Sequence, residues 1–127
     1  MRLRVVAVDD SPPVLRQLIY LLGVEFDVVG SAEEGQMALD VIQNTRPDVV
    51  VLDLEMPLRN GIEVTRELRK LGPSPAVVIC SVETDPETIE AALQAGALGY
   101  VSKMLLTHDL VRAVELAARG ESFVSSS

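Results

Sequence analysis

The sequence predicts an α/β fold built around one parallel β-sheet, and two patterns indicate this. Short apolar runs rich in valine alternate along the chain with longer stretches whose apolar residues recur at helical spacing. The chain is also 48% hydrophobic but contains only two Phe, two Tyr and no Trp, so its core must be aliphatic. An aliphatic core is typical of parallel strands that helices cover on both faces.

Five apolar runs, each bounded by turn residues, are the candidate strands. In chain order they cover residues 5–8, 26–29, 49–52, 76–80 and 98–101. Five βα units in succession predict a doubly wound parallel sheet, and right-handed crossovers leave few strand orders open. For a five-stranded chain we expect the order 2-1-3-4-5, which is the flavodoxin-like (βα)5 arrangement.

The helical stretches carry start and stop signals at their ends. Ser11 and Asp85 each stand directly before a proline, which is typical of an N-cap followed by proline in the first turn. Ser31 and Glu34 have the spacing of a capping box. Four glycines lie where helices are expected to end: Gly23, Gly72, Gly96 and Gly120.

Length and composition restrict the classes of function. The 127 residues fit one domain, expected at residues 1–121, with residues 122–127 forming a tail or the start of a linker. A net charge of −8 with scattered basic residues argues against direct binding of nucleic acid. No stretch resembles a signal peptide or reaches transmembrane length, so we expect a cytoplasmic protein that does not contact membrane. The single cysteine, Cys80, falls in an apolar run and is predicted to be a core residue.

Polar side chains follow four of the five candidate strands. Asp9 and Asp10 follow the first, Asp53 the third, Ser81 the fourth and Lys103 the fifth. Ligands bind outside the carboxyl ends of strands in an open α/β sheet, and these four strands are neighbours in the order 2-1-3-4-5. We therefore expect the five side chains to lie along one edge of the sheet.

This row of side chains has a defined chemistry. Clustered carboxylates repel one another unless a cation joins them, and oxygen ligands without His or Cys suit Mg²⁺, with Mn²⁺ as a second cation. A metal ion, an ammonium and a hydroxyl together form a cradle for a phosphoryl group, and one carboxylate could be its acceptor. Each residue alone has an ordinary explanation, as a helix cap, a turn residue or a surface lysine. Their joint placement favours the site.

The motifs that carry these residues resemble receiver domains of two-component signalling. The likeness rests on residues 8–11, on residues 51–57 with Gly61, on Ser81 and on residues 99–103, and it covers essentially the whole chain. It implies that Asp53 accepts a phosphoryl group from a phosphohistidine of a sensor histidine kinase or phosphotransfer protein. Such a receiver switches between two states and is not a turnover enzyme.

The resemblance also implies roles for the residues around the acceptor. Mg²⁺ would be held by Asp10 and Asp53, assisted by Asp9 and by the backbone carbonyl of Glu55. Lys103 would pair with Asp53 before phosphorylation and with the phosphoryl oxygens afterwards.

A second group of residues would transmit the change. Ser81 would hydrogen-bond the phosphoryl group, and Tyr100 would change rotamer as Ser81 moves. The resulting change at the fourth helix and fifth strand would support a phosphorylation-dependent homodimer. Glu55 and Glu83 would tune the rate of dephosphorylation.

The output of the switch is left open by the sequence. Residues 118–125 resemble the exit from receivers that precede a helix-turn-helix DNA-binding domain, which favours a transcription regulator whose output domain is not in this sequence. A stand-alone regulator that acts by protein–protein interaction is the alternative. A small Mg²⁺-dependent aspartyl phosphatase is disfavoured. Such enzymes usually have a second Asp two residues after the nucleophile, and this sequence has Glu55 at that position. A flavodoxin-like cofactor site is disfavoured because Asp9 and Asp10 would repel a phosphate.

Overall fold

Six parallel strands form one sheet in the computed structural model, which describes residues 2–126. They are β1 (Arg4–Val8), β2 (Asp27–Ala32), β3 (Val49–Asp53), β4 (Ala76–Ser81), β5 (Gly99–Ser102) and β6 (Phe123–Val124). Their order is β2-β1-β3-β4-β5-β6. The five predicted strands therefore lie in the predicted order, but the prediction of a five-stranded sheet was one strand short. A segment as short as β6 is too brief to show a period in the sequence.

Five helices cover the two faces of the sheet. They are α1 (Pro12–Glu25), α2 (Gly35–Thr45), α3 (Gly61–Leu71), α4 (Pro86–Ala95) and α5 (Leu106–Ala118), the last entered through a single 3₁₀ turn, Lys103–Leu105. Side chains of a strand alternate between faces. Val5 and Ala7 of β1 accordingly pack with α1 and α5, while Val6 and Val8 pack with α2, α3 and α4. These two aliphatic cores hold β1, β3 and β4 rigidly in the middle of the domain.

Helix α1 does not stop at Gly23, as the sequence predicted, but continues to Glu25. The guanidinium of Arg2 donates hydrogen bonds of 2.9–3.3 Å to the carbonyls of Gly23, Val24, Glu25 and Phe26. The last carbonyls of a helix lack partners within it, and these bonds satisfy them. The side chain of Arg2, which lies outside α1, thus caps the helix, and the helix does not end at the glycine.

The capping box predicted for Ser31 and Glu34 was also wrong. Ser31 belongs to β2, where it pairs with Ala7 of β1. Glu34 is itself the N-cap of α2, and its carboxylate accepts a 2.7 Å hydrogen bond from the backbone N–H of Met37. Pairing with β1 extends the strand past the point where the local signal placed the helix.

The other helix boundaries follow their signals more closely. Asp85 caps α4 through its side chain, whereas Ser11 occupies the N-cap position of α1 without a side-chain cap bond. Gly72 and Gly96 directly follow α3 and α4. Gly120 stands two residues beyond α5 with φ of 79°, a left-handed conformation that suits glycine.

The expected tail, residues 122–127, contains the unpredicted strand. Phe123 and Val124 pair in parallel with Gly99 and Tyr100 of β5. Ser127, the last residue of that tail, lies outside the described residues. Within residues 2–126, none of the helices combines the length and the apolar character needed to cross a bilayer.

Candidate functional site

The structure brings the predicted site residues together at the carboxyl edge of the sheet. Asp53 and Ser81 are the last residues of β3 and β4, while Asp9 and Lys103 directly follow β1 and β5. Each of these strands is paired to its neighbour in register, so the backbone fixes where the side chains start. The residues lie far apart in the sequence and meet because parallel strands end at one edge.

Lys103 connects the two buried acids of the site. Its ammonium Nζ lies 2.9 Å from Oδ1 of Asp53 and 3.0 Å from Oδ2 of Asp9. Asp9 is 0% exposed and Asp53 is 1% exposed. Asp9 also accepts a 2.9 Å hydrogen bond from the backbone N–H of Ser11, which ties the acid to the start of α1. One lysine therefore pairs with two carboxylates, and the site retains an excess of negative charge.

This excess of negative charge affects the ionisation of Asp53, the candidate acceptor. Burial raises the pKa of Asp53 from 3.8 to about 7, with Asp9 adding repulsion, while Lys103 opposes the increase. For Lys103 itself, burial acts to lower the pKa, but the contacts with Asp53 and Asp9 outweigh burial and raise it. The lysine is therefore a permanent cation, and additional positive charge would stabilise the ionised form of Asp53.

Replacement of Asp53 by asparagine is expected to stabilise the chelator-treated protein in a pH-dependent way. Folding raises the pKa of Asp53, so the protonated carboxyl group adds to the free energy of unfolding. This contribution is fully present below about pH 4 and is lost as pH rises to about 7. Asparagine does not titrate, so the advantage of Asp53→Asn over the wild type should grow by about 1–3 kcal/mol between pH 5 and pH 8. Urea unfolding in EDTA at the two pH values measures this difference.

Asp40→Asn is the matched control for that measurement, because Asp40 is an exposed aspartate of α2 that lies outside the carboxylate cluster. Its effect on the free energy of unfolding should change little between the two pH values. A difference between Asp53→Asn and the wild type that stays constant with pH would contradict the electrostatic explanation.

Three carboxylates are placed to share a cation. Asp9, Asp10 and Asp53 each offer an oxygen, and these oxygens lie within 4.8 Å of one another. Oδ2 of Asp53 is buried and has no hydrogen-bond partner among residues 2–126. An orphaned carboxylate oxygen is costly in a protein interior. This donor set of hard oxygens therefore fits a small divalent cation such as Mg²⁺.

Ser81 is engaged by a partner that the sequence did not reveal. Its hydroxyl donates a 2.6 Å hydrogen bond to Oε1 of Glu55 and accepts one of 2.9 Å from the backbone N–H of Glu83. The backbone N–H of Glu55 in turn donates to Oδ1 of Asp53 at 3.3 Å. The prediction assigned Glu55 a backbone carbonyl ligand and a tuning role, but no spacing signal linked its carboxylate to Ser81.

Tyr100 is buried, with 1% of its surface exposed, and its hydroxyl donates a 2.8 Å hydrogen bond to the backbone carbonyl of Glu83. Because Glu83 also contacts Ser81 through its N–H, one backbone segment joins the serine to the tyrosine. The two residues that the sequence grouped as a switch are thus connected in space.

Gly61 lies where the start of α3 meets the end of β3. A Cβ built on Gly61 would stand 2.5 Å from the backbone oxygen of Asp53 and 3.1 Å from Cα of Leu54. Both of these atoms belong to the backbone, so they cannot move aside as a flexible side chain can. Gly61 therefore allows β3 and α3 to approach closely.

Cys80 and His108 both lie outside the site. Cys80 is fully buried, and burial raises the pKa of its thiol, which agrees with its prediction as a core residue. His108 is largely exposed, and its Nδ1 lies 2.7 Å from Oδ1 of Asp109. Neither residue contacts the carboxylate cluster through a side-chain bond among the described residues.

Comparison with known proteins identifies the family. The sequence profile of the response regulator receiver domain matches residues 5–115, a stretch that includes Asp9, Asp53, Ser81 and Lys103. The chain belongs to the response regulator receiver family. Receiver domains are phospho-accepting switches, and the resemblance found in the motifs is confirmed.

Individual relatives agree with this assignment. The receiver is 30% identical over 125 residues to the transcriptional regulatory protein DegU of Brevibacillus brevis, covering 97% of this chain and 53% of DegU. It is 34% identical over 103 residues to the chemotaxis protein CheY of Halobacterium salinarum, covering 81% of this chain and 86% of CheY. The signal receiver domain of a response regulator NarL from Mycobacterium tuberculosis superposes with a TM-score of 0.90 at 33% identity, covering 94% and 98% of the two chains.

The fraction of each relative's length that this chain covers differs between the relatives. The receiver spans about half the length of several curated regulators, 53%, 56% and 58% in three cases. It spans most of the chemotaxis protein. The match therefore concerns the receiver portion of the longer relatives.

Proposed function

We propose that this receiver is a phosphorylation-activated switch whose phosphoryl acceptor is Asp53. One observation carries the proposal. The buried carboxylate of Asp53 is bound by Lys103 through one oxygen, while the other oxygen has no hydrogen-bond partner among the described residues. A carboxylate that is held in place but left partly unsatisfied is suited to act as a nucleophile and a ligand.

The donor would be a phosphohistidine of a sensor histidine kinase or phosphotransfer protein. A carboxylate oxygen of Asp53 attacks the phosphorus, a P–O bond forms, and the P–N bond to the donor imidazole breaks. The imidazole leaves with the electron pair and takes up a proton. Lys103, already 2.9 Å from the acceptor, stabilises the negative charge of the phosphoryl oxygens.

The acidic cluster would hold Mg²⁺ during this reaction, with Mn²⁺ as the second cation that the oxygen donors accept. Asp9, Asp10 and Asp53 contribute carboxylates, and we assign the remaining protein ligand to the backbone carbonyl of Glu55. Bound Mg²⁺ supplies positive charge that offsets the charge of the phosphoryl oxygens. The excess of buried negative charge over the single lysine supports this assignment.

Ser81 and Tyr100 would transmit the phosphorylated state. The Ser81 hydroxyl, bound to Glu55 in this structure, would turn to the phosphoryl group, and Tyr100 would respond through the backbone of Glu83. This is a shift between two packings of one fold. The surface formed by α4 and β5 is the proposed interface of a phosphorylation-dependent homodimer.

Transcription is the proposed output of the switch. Because the receiver spans 53% of the transcriptional regulatory protein DegU, we infer that it controls an output domain outside this sequence, in the cytoplasm. The receiver, proposed as residues 1–121, would not bind nucleic acid itself because the net charge of the chain is −8. A stand-alone regulator is the second candidate, because the chain covers 86% of a chemotaxis protein.

A turnover phosphatase is a weaker explanation of the same site. Such an enzyme would need Glu55 as a proton donor and acceptor. The Glu55 carboxylate instead accepts the 2.6 Å hydrogen bond from Ser81. This geometry supports a phosphoryl acceptor over a turnover phosphatase.

Phosphorylation by a small donor tests the proposal. The purified chain is incubated with Mg²⁺ and acetyl phosphate, and its intact mass is recorded. We expect one phosphoryl adduct that requires Mg²⁺ and is absent from Asp53→Asn. Asp40→Asn, which changes an exposed aspartate of α2, is the matched control and should be phosphorylated normally. Absence of both the adduct and the binding of beryllofluoride, a phosphoryl mimic, would show that the proposal is wrong.

The lifetime of the phosphoryl group should depend on Glu55 and Glu83. Glu55→Ala removes the acceptor that holds the Ser81 hydroxyl, so the hydroxyl is free to bond the phosphoryl group. We expect the acyl phosphate to last several times longer, with little change in the free energy of unfolding. Glu83→Ala should have the smaller effect, because Glu83 contacts Ser81 and Tyr100 through its backbone. Decay of the intact-mass adduct measures both lifetimes, and unchanged decay in both variants would refute the tuning role.

A further inference from the structure

We propose that the outer edge of β5 and the first turn of α5 form a docking site for the chain's own residues 121–126, the C-terminal strap. Docking of the C-terminal strap and phosphorylation of Asp53 oppose one another. This inference rests on the proposed function and adds a site that the acceptor chemistry does not require.

The backbone of the C-terminal strap completes the edge of the sheet. The N–H of Phe123 donates to the carbonyl of Leu98 at 3.0 Å, and the N–H of Ser125 donates to the carbonyl of Tyr100 at 2.9 Å. The Phe123 side chain packs against the same apolar core as α1 and α5. Addition of an extended segment to a free strand edge is a common mode of peptide recognition. The β5 edge is therefore a peptide site, and the strap occupies it.

The side chain of Ser125 makes the docking specific. Its hydroxyl donates a 2.7 Å hydrogen bond to Oδ2 of Asp109 and accepts one of 3.1 Å from the backbone N–H of Ser102. Asp109 is 7% exposed, and its other oxygen lies 2.7 Å from Nδ1 of His108. The bond from Ser125 contributes to holding the pKa of Asp109 below its usual range. Undocking would remove the Ser125 hydroxyl from both Asp109 and the backbone N–H of Ser102.

Two paths of contacts lead from Ser125 to the phosphorylation site. Ser102, whose N–H binds Ser125, directly precedes Lys103, and Lys103 binds Asp53. Along the second path, Ser125 binds the carbonyl of Tyr100, and the hydroxyl of Tyr100 binds the carbonyl of Glu83. Glu83 donates to the hydroxyl of Ser81. The strap thus contacts the strand that leads directly to Lys103, and it is linked to Ser81 through Tyr100 and Glu83.

The direction of the coupling follows from the arrangement in which the strap is docked. Lys103 is bound to Asp53 and Asp9, and Ser81 is bound to Glu55. Binding of a phosphoryl group requires the Ser81 hydroxyl to leave Glu55, which disturbs the Glu83 segment and, through the hydroxyl of Tyr100, the residue whose carbonyl binds the strap. Since a coupling free energy is reciprocal, a docked strap must weaken the binding of a phosphoryl mimic.

Beryllofluoride titrations in Mg²⁺ test this opposition. The full-length variants Ser125→Ala, which removes the hydroxyl, and Ser125→Pro, which also removes the N–H donor, are compared with the wild type. We expect the variants to bind beryllofluoride more tightly, by about 5-fold or more for Ser125→Pro. Ser122→Ala changes an exposed serine of the strap and is the matched control, which should bind as the wild type does.

Amide hydrogen exchange of Phe123 and Ser125 gives a second readout on the unmodified chain. Both amides should exchange faster when beryllofluoride and Mg²⁺ are bound. Equal or weaker binding by both Ser125 variants, or exchange that beryllofluoride does not accelerate, would overturn the opposition while leaving Asp53 as the acceptor. A wild type that binds no beryllofluoride and forms no adduct would instead contradict the proposed function, and this inference with it.

Discussion

Replacement of Lys103 by methionine is expected to destabilise the protein by about 2–4 kcal/mol at pH 8 in EDTA. Methionine keeps an unbranched side chain but removes the ammonium that lies 2.9 Å from Asp53 and 3.0 Å from Asp9. Both acids are almost completely buried, so they would face each other without a cation. Urea unfolding measures the change, and added Mg²⁺ should reduce it by replacing part of the lost positive charge.

A double-mutant cycle separates this charge effect from packing. In the Asp53→Asn background only Asp9 still needs the ammonium, so Lys103→Met should cost distinctly less. Equal losses in both backgrounds would mean that the lysine stem stabilises the fold by contact alone.

Phosphorylation of Lys103→Met by acetyl phosphate should also be slower than that of the wild type, by about 100-fold or more, because a preorganised positive charge next to the reacting group is missing.

Gly61→Ala is expected to damage both the fold and the acceptor. The new Cβ would stand 2.5 Å from the backbone oxygen of Asp53, and an atom at that distance must be displaced. We expect the free energy of unfolding to fall by about 1–3 kcal/mol, as for other overpacked sites. Phosphorylation should slow as well, since small misplacements of a reacting group strongly reduce rates.

Gly23→Ala is the matched control, because it makes the same chemical change in the exposed part of α1. Among residues 2–126, no atom outside the local helix backbone and the neighbouring residues lies within 4 Å of a Cβ placed on Gly23. Alanine favours the helix over glycine by about 0.5–1 kcal/mol, so this variant should be more stable than the wild type. If the two substitutions changed stability in the same direction, the close approach at Gly61 would not explain the effect.

The sequence predicted the site better than it predicted the boundaries of the elements. Asp53, Ser81 and Lys103 could be placed together because each follows a buried run, and strand order alone determines which strand ends are neighbours. This argument needs no detail of side-chain packing. The same logic brought Asp9 and Asp10 to the edge, where the structure has them.

The features that were missed depend on contacts between distant parts of the chain. The extension of α1 past Gly23 depends on Arg2, which binds carbonyls 21 to 24 residues away. The hydrogen bond from Ser81 to Glu55 joins residues 26 positions apart. Strand β6 has too few residues for a period, and the neighbouring edge of β5 determines its position. No local pattern encodes such partners.

The scarcity of aromatic residues has a spectroscopic consequence. The chain contains no Trp and only two Tyr, of which Tyr20 is 74% exposed while Tyr100 is buried against the Glu83 carbonyl. A freely rotating phenol contributes little to near-ultraviolet circular dichroism, whereas an immobilised phenol contributes strongly. The tyrosine band of the folded protein therefore originates mainly from Tyr100. A measurement usually made to follow tertiary structure as a whole would, in this protein, follow a single side chain next to the proposed phosphorylation site.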